Sequence, residues 1–153
     1  MEERFEIFTV LMAKIRRNVQ RIKNEEVAQY GLKSPHVSCL YYLRKHESLT
    51  AKELCVFCSE DKAAVSRSLL QLEKMGYVEY KDTTKKRYKT DICLTESGKT
   101  VAVEVVKKID EYIEKIGGSL PEKDRLIFYK SLRTISKNLE KVCEDFGDGE
   151  ETE

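Results

Sequence analysis

Apolar positions recur every three or four residues over most of this chain, and the interruptions mark where it turns. Phe5, Phe8, Met12, Ile15, Val19 and Ile22 keep helical spacing, with Arg16, Arg17, Arg21 and Lys23 in other positions, which predicts one long helix over residues 4–29 that Gly31 ends. Ser34-Pro35 predicts the next start, with Ser34 as N-cap, and Val37, Leu40, Tyr41 and Leu43 carry that helix to Lys45-His46. Ser48-Leu49 reads as a short strand. After Thr95, which caps a further helix, Val101, Val105, Ile109, Tyr112, Ile113 and Ile116 form a stripe broken by Gly117-Gly118. Ser119-Leu120-Pro121-Glu122 then offers a capping box for a last helix on which Leu126, Tyr129, Leu132, Ile135, Leu139, Val142 and Phe146 repeat.

Residues 50–95 follow a different rhythm: helix, turn, helix, hairpin. Thr50 and Glu53 stand at capping-box spacing and open a helix that ends near Phe57-Cys58. Asp61 or Ser59 caps a second helix running to Met75, with Gly76 as its stop. On that helix Val65, Leu69 and Leu72 share one face, whereas Ala63, Arg67 and Lys74 point the other way, with Ser66 on the flank. A helix meant only for solvent carries more charge than this; small residues around one Arg suit close approach to another surface. Tyr77 to Lys81 and Tyr88 to Leu94 alternate as strands, joined by Asp82-Thr83-Thr84-Lys85-Lys86-Arg87.

Charge sharpens this picture. The chain of 153 residues has a formal net charge of only +1. Residues 62–89, however, hold eight basic side chains against three acidic ones, and residues 140–153 hold seven acids against Lys141. A basic hairpin beside a sparse helix face suits a major-groove reader with a phosphate or minor-groove clamp at its side.

The segment Leu-Leu-Gln-Leu-Glu-Lys-Met-Gly-Tyr-Val at 69–78, followed by Leu-Thr-Glu-Ser-Gly at 94–98, resembles the MarR family of winged-helix regulators. The resemblance extends more weakly over the whole chain. It implies a mainly α fold with a small β-wing: a winged helix-turn-helix with long N- and C-terminal dimerisation helices. Residues 34–95 are then the DNA-binding lobe, 1–31 and 96–146 the helical dimerisation region, and 147–153 an acidic disordered tail, all within one structural domain. It further implies a homodimer on a pseudo-palindromic operator, usually a repressor, released by a small aromatic or lipophilic effector. Lys62, Ala63, Ser66, Arg67, Lys85, Lys86, Arg87 and Lys89 are the candidate DNA contacts, and Met12, His36, Cys39, Tyr41 and Tyr112 are candidates for an effector pocket, or equally for the core. The chain departs from the family pattern where an Asp is common in the recognition helix (here Leu70) and where an Asp and an Arg are frequent in the wing (here Lys86 and Tyr88).

Other chemistry finds less support. Five cysteines, at 39, 55, 58, 93 and 143, read as reduced thiols that are mostly core or near-core. Cys55-x-x-Cys58 is half of a zinc site, but no second pair follows and the only histidines are His36 and His46, so neither metal nor cofactor is expected. The buried-thiol reading of that pair competes with a redox switch. Peroxide-sensing relatives place a cysteine near the start of the first helix, and residues 1–33 contain none. No Ser-His-Asp set or phosphate-binding glycine loop points to an enzyme. No apolar run is long enough to span a membrane and no export signal opens the chain, which leads to the expectation of a cytoplasmic protein. A winged helix used only for protein contacts is the alternative to DNA binding.

Overall fold

The computed structural model describes residues 2–82, 84 and 89–147. The long N-terminal helix is not uniform. It consists of α1 (Glu2–Phe5), a π-helical segment (Glu6–Leu11), α2 (Met12–Val27) and a 3-10 turn (Ala28–Tyr30) that closes on Gly31 at φ +67°. Within the π segment, Thr9 Oγ1 donates to the Phe5 carbonyl at 2.5 Å, the kind of back-bond that loosens an α-helix locally. Next come α3 (Ser34–His46), β1 (Ser48–Leu49), α4 (Ala51–Cys58), α5 (Lys62–Lys74), β2 (Val78–Tyr80), β3 (Ile92–Leu94), α6 (Glu96–Gly117) and α7 (Glu122–Gly147). The chain forms two compact units, residues 1–111 and 112–153.

In the first unit the core is built around α3, which packs on α2, α4, α5 and β3. Leu40 and Leu43 of α3, Leu54 of α4, Leu69 and Leu72 of α5 and Ile92 of β3 are essentially inaccessible to solvent. Fully burying one such side chain is worth about 1.5–3 kcal/mol. The sheet runs β1-β3-β2, antiparallel throughout, with Leu49 opposite Ile92 and Tyr80 opposite Ile92 on the other side. The short strand read at Ser48-Leu49 therefore does pair with the hairpin. The second hairpin strand is shorter than its alternation predicts, because Thr90 turns inward instead. Thr90 is buried and its hydroxyl donates to the Asp82 carbonyl at 3.2 Å, closing the base of the wing. Asp82 in turn accepts from the Thr84 N–H at 2.9 Å, an Asx turn that starts the tip.

Two helix starts differ from the sequence expectation. At α3 the cap is Lys33, and Ser34 is already helical, its N–H bonded to Asn24 Oδ1 at 2.7 Å. At α7 the Ser119 box does not close; the helix begins at Glu122, after Pro121, with Glu122 and Asp124 favourably placed in its first turn. Among the cysteines, Cys39 is in the core, Cys55 and Cys58 pack against it, Cys93 is half-buried and Cys143 is exposed, so the core or near-core reading holds for Cys39, Cys55 and Cys58.

The start of α6 is fixed by one residue. The Thr95 hydroxyl donates to the Gly76 carbonyl at 2.6 Å and accepts from the Gly98 N–H at 3.0 Å, while the Thr95 N–H donates to the Tyr77 carbonyl at 3.1 Å. Gly98 lies against that same carbonyl so closely that a Cβ would overlap it. Gly76 is glycine for another reason, its φ of +72°, and open space surrounds it. Backbone cannot move aside as a side chain can, so Gly98→Ala should cost about 3 kcal/mol, the upper end of ordinary overpacking, or more. Gly76→Ala should cost about 1–2 kcal/mol, from conformation alone. Urea unfolding ranks the two; equal losses would mean that the start of α6 is free to shift away from Tyr77.

Candidate nucleic-acid interface

The helix-turn-helix is set by local bonds that the sequence dictates. The Thr50 hydroxyl accepts from the Glu53 N–H at 3.3 Å and Glu53 Oε2 accepts from the Thr50 N–H at 2.7 Å, so both halves of the capping box form. Of the two cap candidates for α5, Asp61 serves, accepting from the Ala64 N–H at 2.7 Å. Ser59 instead ends α4 in a left-handed conformation, φ 53°, its N–H bonded to the last turn of that helix. The turn between α4 and α5 is therefore closed by an αL residue on one side and a carboxylate cap on the other.

On α5, Val65, Ser68, Leu69 and Leu72 face inward and are buried. Ala63, Ser66 and Arg67 are exposed on the outward side, with Leu70 at its edge, and Lys62 is exposed in the first turn. No acid occurs on α5 before Glu73, so the outward face of its first two turns is cationic or small. Lys89, at the base of the wing, lines one depression with Lys62, Lys52, Thr50, Ala51 and Asp61, about 790 Å³ in volume. The starts of α4 and α5 open into that depression, and helix N-termini offer backbone donors and positive potential to anions. Lys52 is a contributor that periodicity alone does not single out: it stands beside the Thr50 cap, and only the tertiary fold brings it near Lys62 and Lys89. Lys85, Lys86 and Arg87 lie outside the described residues.

The five effector-pocket candidates do not converge. His36 and Cys39 are buried on the inner side of α3, Tyr41 is exposed on the outer side of the same helix, and Met12 is exposed on α2. Tyr112 belongs to the second unit, half-buried, with the Lys115 ammonium 5.2 Å from its ring centre. His36 has a structural task. Its Nδ1 accepts from the Lys33 N–H at 2.9 Å, which requires the neutral ring with its proton on Nε2. Among the described residues no group of three or more His, Cys, Asp or Glu side chains is arranged to hold a metal, and no helix is long and apolar enough to cross a membrane.

A two-helix turn followed by a small antiparallel sheet with a charged hairpin, set between longer helices, defines a winged helix-turn-helix protein. Comparison with known proteins narrows the class. Residues 30–87 match the model of the MarR family. The HTH-type transcriptional regulator YwoH of Bacillus subtilis (strain 168) is 27% identical over 112 residues, 73% of this chain and 81% of that one. A Bacillus cereus HTH-type transcriptional regulator is 25% identical over 122 residues, 79% of this chain and 81% of that one. Among solved structures, a MarR transcriptional regulator from Methanosarcina mazei Go1 superposes with a TM-score of 0.80 at 22% identity, covering 90% of this chain and 92% of that one. The chain in an S. aureus MepR–DNA complex gives 0.78 at 19% identity, covering 86% and 97%; these two likenesses speak for the fold. Residues 30–87 are thus similar to the MarR family model, and the two curated relatives are HTH-type transcriptional regulators.

The His36 geometry yields a pH dependence. Burial, and then the nearby Lys33 charge, push its pKa below the usual 6.5. Protonation would also set a ring N–H against the Lys33 N–H. A base whose folded pKa is depressed contributes stability that is complete above its unfolded pKa and is lost as pH falls toward the folded one. Wild-type stability should therefore decline below about pH 6.5 relative to His36→Gln, measured by urea unfolding from pH 8 to pH 5. A constant difference between the two proteins across that range would mean that His36 is not held neutral.

Proposed function

We propose that this protein is a homodimeric, sequence-specific DNA-binding transcriptional regulator, most simply a repressor, that reads a pseudo-palindromic operator with α5. The observation that carries this reading is the exposed, small-residue face of α5, with Arg67 at its centre and Lys62, Lys52 and Lys89 gathered beside it. Ala63 and Ser66 let the helix backbone come close to base edges, Arg67 supplies a bidentate donor for them, and the lysines with the helix N-termini take phosphates. The wing residues Lys85, Lys86 and Arg87 extend the grip on the phosphates. The MepR–DNA complex, a relative in fold, gives the reading a precedent.

Dimerisation through residues 1–31 and 96–146 is supported by apolar side chains that each unit leaves exposed. Phe5 and Phe8 in the first unit and Leu126, Val142 and Phe146 in the second remain 45–77% accessible. Apolar exposure in contiguous runs of this kind marks an interface. Release by a small effector belongs to the same reading. A cleft of about 700 Å³ between α3, the sheet and the start of α6 is lined by Leu43, Arg44, Glu79, Leu94, Lys99 and Val103, and none of the five pocket candidates lines it.

Selection from a random DNA pool tests the proposal: it should enrich a palindrome whose half-sites lie about one helical turn, roughly 34 Å, apart. On the selected site Arg67→Ala should cost about 1–3 kcal/mol and narrow the preference over random DNA. Lys62→Ala with Lys89→Ala should weaken binding to all sequences alike. It should also flatten the log–log salt dependence by about 0.9 for each phosphate that is no longer neutralised. Sedimentation should give twice the 17.8 kDa chain mass. No enrichment, with a monomer in solution, would favour a winged helix used for protein contacts.

A further inference from the structure

The outward stripe of α5 carries one residue that neither the core nor the phosphates explain. Ala63, Arg67, Leu70 and Lys74 follow one another at intervals of four, three and four, which keeps them on one side of the helix, with Ser66 beside them. Leu70 is 45% accessible, the one large apolar side chain that α5 leaves exposed. Its neighbours Leu69 and Leu72 are wholly buried in the core, and Leu70 is not among the side chains that pack against it.

A lone exposed leucine on a solvated helix needs no explanation. This one stands on the face that meets DNA, with Arg67 one turn before it and Lys74 one turn after. Close approach there strips water from both surfaces. Base edges in the major groove present donors and acceptors and a single apolar group, the C5-methyl of thymine. A leucine pressed against a ring nitrogen, a carbonyl or an amino group removes its water and returns no hydrogen bond, which is unfavourable. Against the thymine methyl it buries two apolar surfaces at once. The stripe therefore holds two complementary readers. Arg67 offers a planar fork of donors, and three residues on Leu70 offers a branched side chain with no polar atom. Three residues of α-helix advance about 4.5 Å, little more than the roughly 3.4 Å step from one base pair to the next.

We propose, on the basis of the DNA-binding reading above, that Leu70 reads thymine. Its side chain packs on the C5-methyl of a thymine in the major groove, about one or two base pairs from the base that Arg67 contacts, and so selects a T·A pair in each half-site.

The test uses the full-length protein on the DNA site that selection enriches, with each thymine replaced in turn by deoxyuridine, which lacks only the methyl. At one position per half-site the change should weaken wild-type binding about fourfold, and about fifteenfold when both half-sites carry it, the worth of one methyl withdrawn from each buried contact. With Leu70→Ala, thymine and deoxyuridine at that position should bind alike, whereas Leu70→Met should keep most of the discrimination. A C·G pair placed there should bind the wild type more tightly when its cytosine is 5-methylated, and Leu70→Ala should not distinguish the two. Because Leu70 is exposed, both variants should unfold in urea with the wild type, which separates a lost contact from a lost fold. Tolerance of deoxyuridine at every position, or a methyl effect that survives in Leu70→Ala, overturns the proposal. If Arg67→Ala weakens binding to the selected site while the methyls make no difference, the DNA-binding reading stands and the role of Leu70 falls. If selection enriches nothing, both fall together.

Discussion

The Thr95 hydroxyl is the point on which the geometry of the first unit turns. It holds the carbonyl that ends α5, through Gly76, and the N–H that begins α6, through Gly98, while its own N–H holds the first residue of the hairpin. The helix α5, the hairpin and the start of α6 are thereby referred to one side chain. The Leu-Thr-x-x-Gly pattern at 94–98 follows from this: Leu94 is a buried strand end, Thr95 the clasp, and Gly98 the residue whose missing side chain lets α6 come this close. Each hydrogen bond contributes only about 0.5–1.5 kcal/mol net. Their value lies in what they position, because a change in how α5 meets α6 would move every residue of the outward face together.

What was legible in the sequence was what local physics decides. The Thr50–Glu53 box, the Asp61 cap, the Gly31 and Gly76 stops and the buried triad Val65, Leu69 and Leu72 each depend on residues within a turn or two of one another. Ser48-Leu49 was legible for a different reason: a two-residue strand makes sense only against the hairpin that follows. The failures are tertiary or competitive. Ser34 yields the cap position because Asn24, ten residues earlier, bonds its N–H. Ser119 yields because α7 starts only after Pro121.

The site divides in the same way. Ala63, Ser66 and Arg67 on α5 could be read from helical phase alone. Lys52 could not, since its relevance depends on where the wing base brings Lys89. The effector candidates show the limit most clearly: His36, Cys39 and Tyr41 lie within six positions of one another, yet a helix sends them to opposite sides.

The π-helical segment at Glu6–Leu11 bears on how this chain tolerates change. A π turn carries one residue more than the α turn it replaces, and each residue of an α-helix advances the phase by about 100°. Residues 2–5 are therefore rotated relative to α2 by one residue's worth of phase compared with an unbroken helix. Deleting any single residue between 6 and 11 would let the segment relax to α without altering α2. Such a deletion is a length change that the loss of the π turn absorbs, leaving Phe5 on the side it already occupies while Met12 and Ile15 stay where they are. The segment thus holds a spare residue, and a single codon can be lost there without turning the extreme N-terminus or touching the core beneath it.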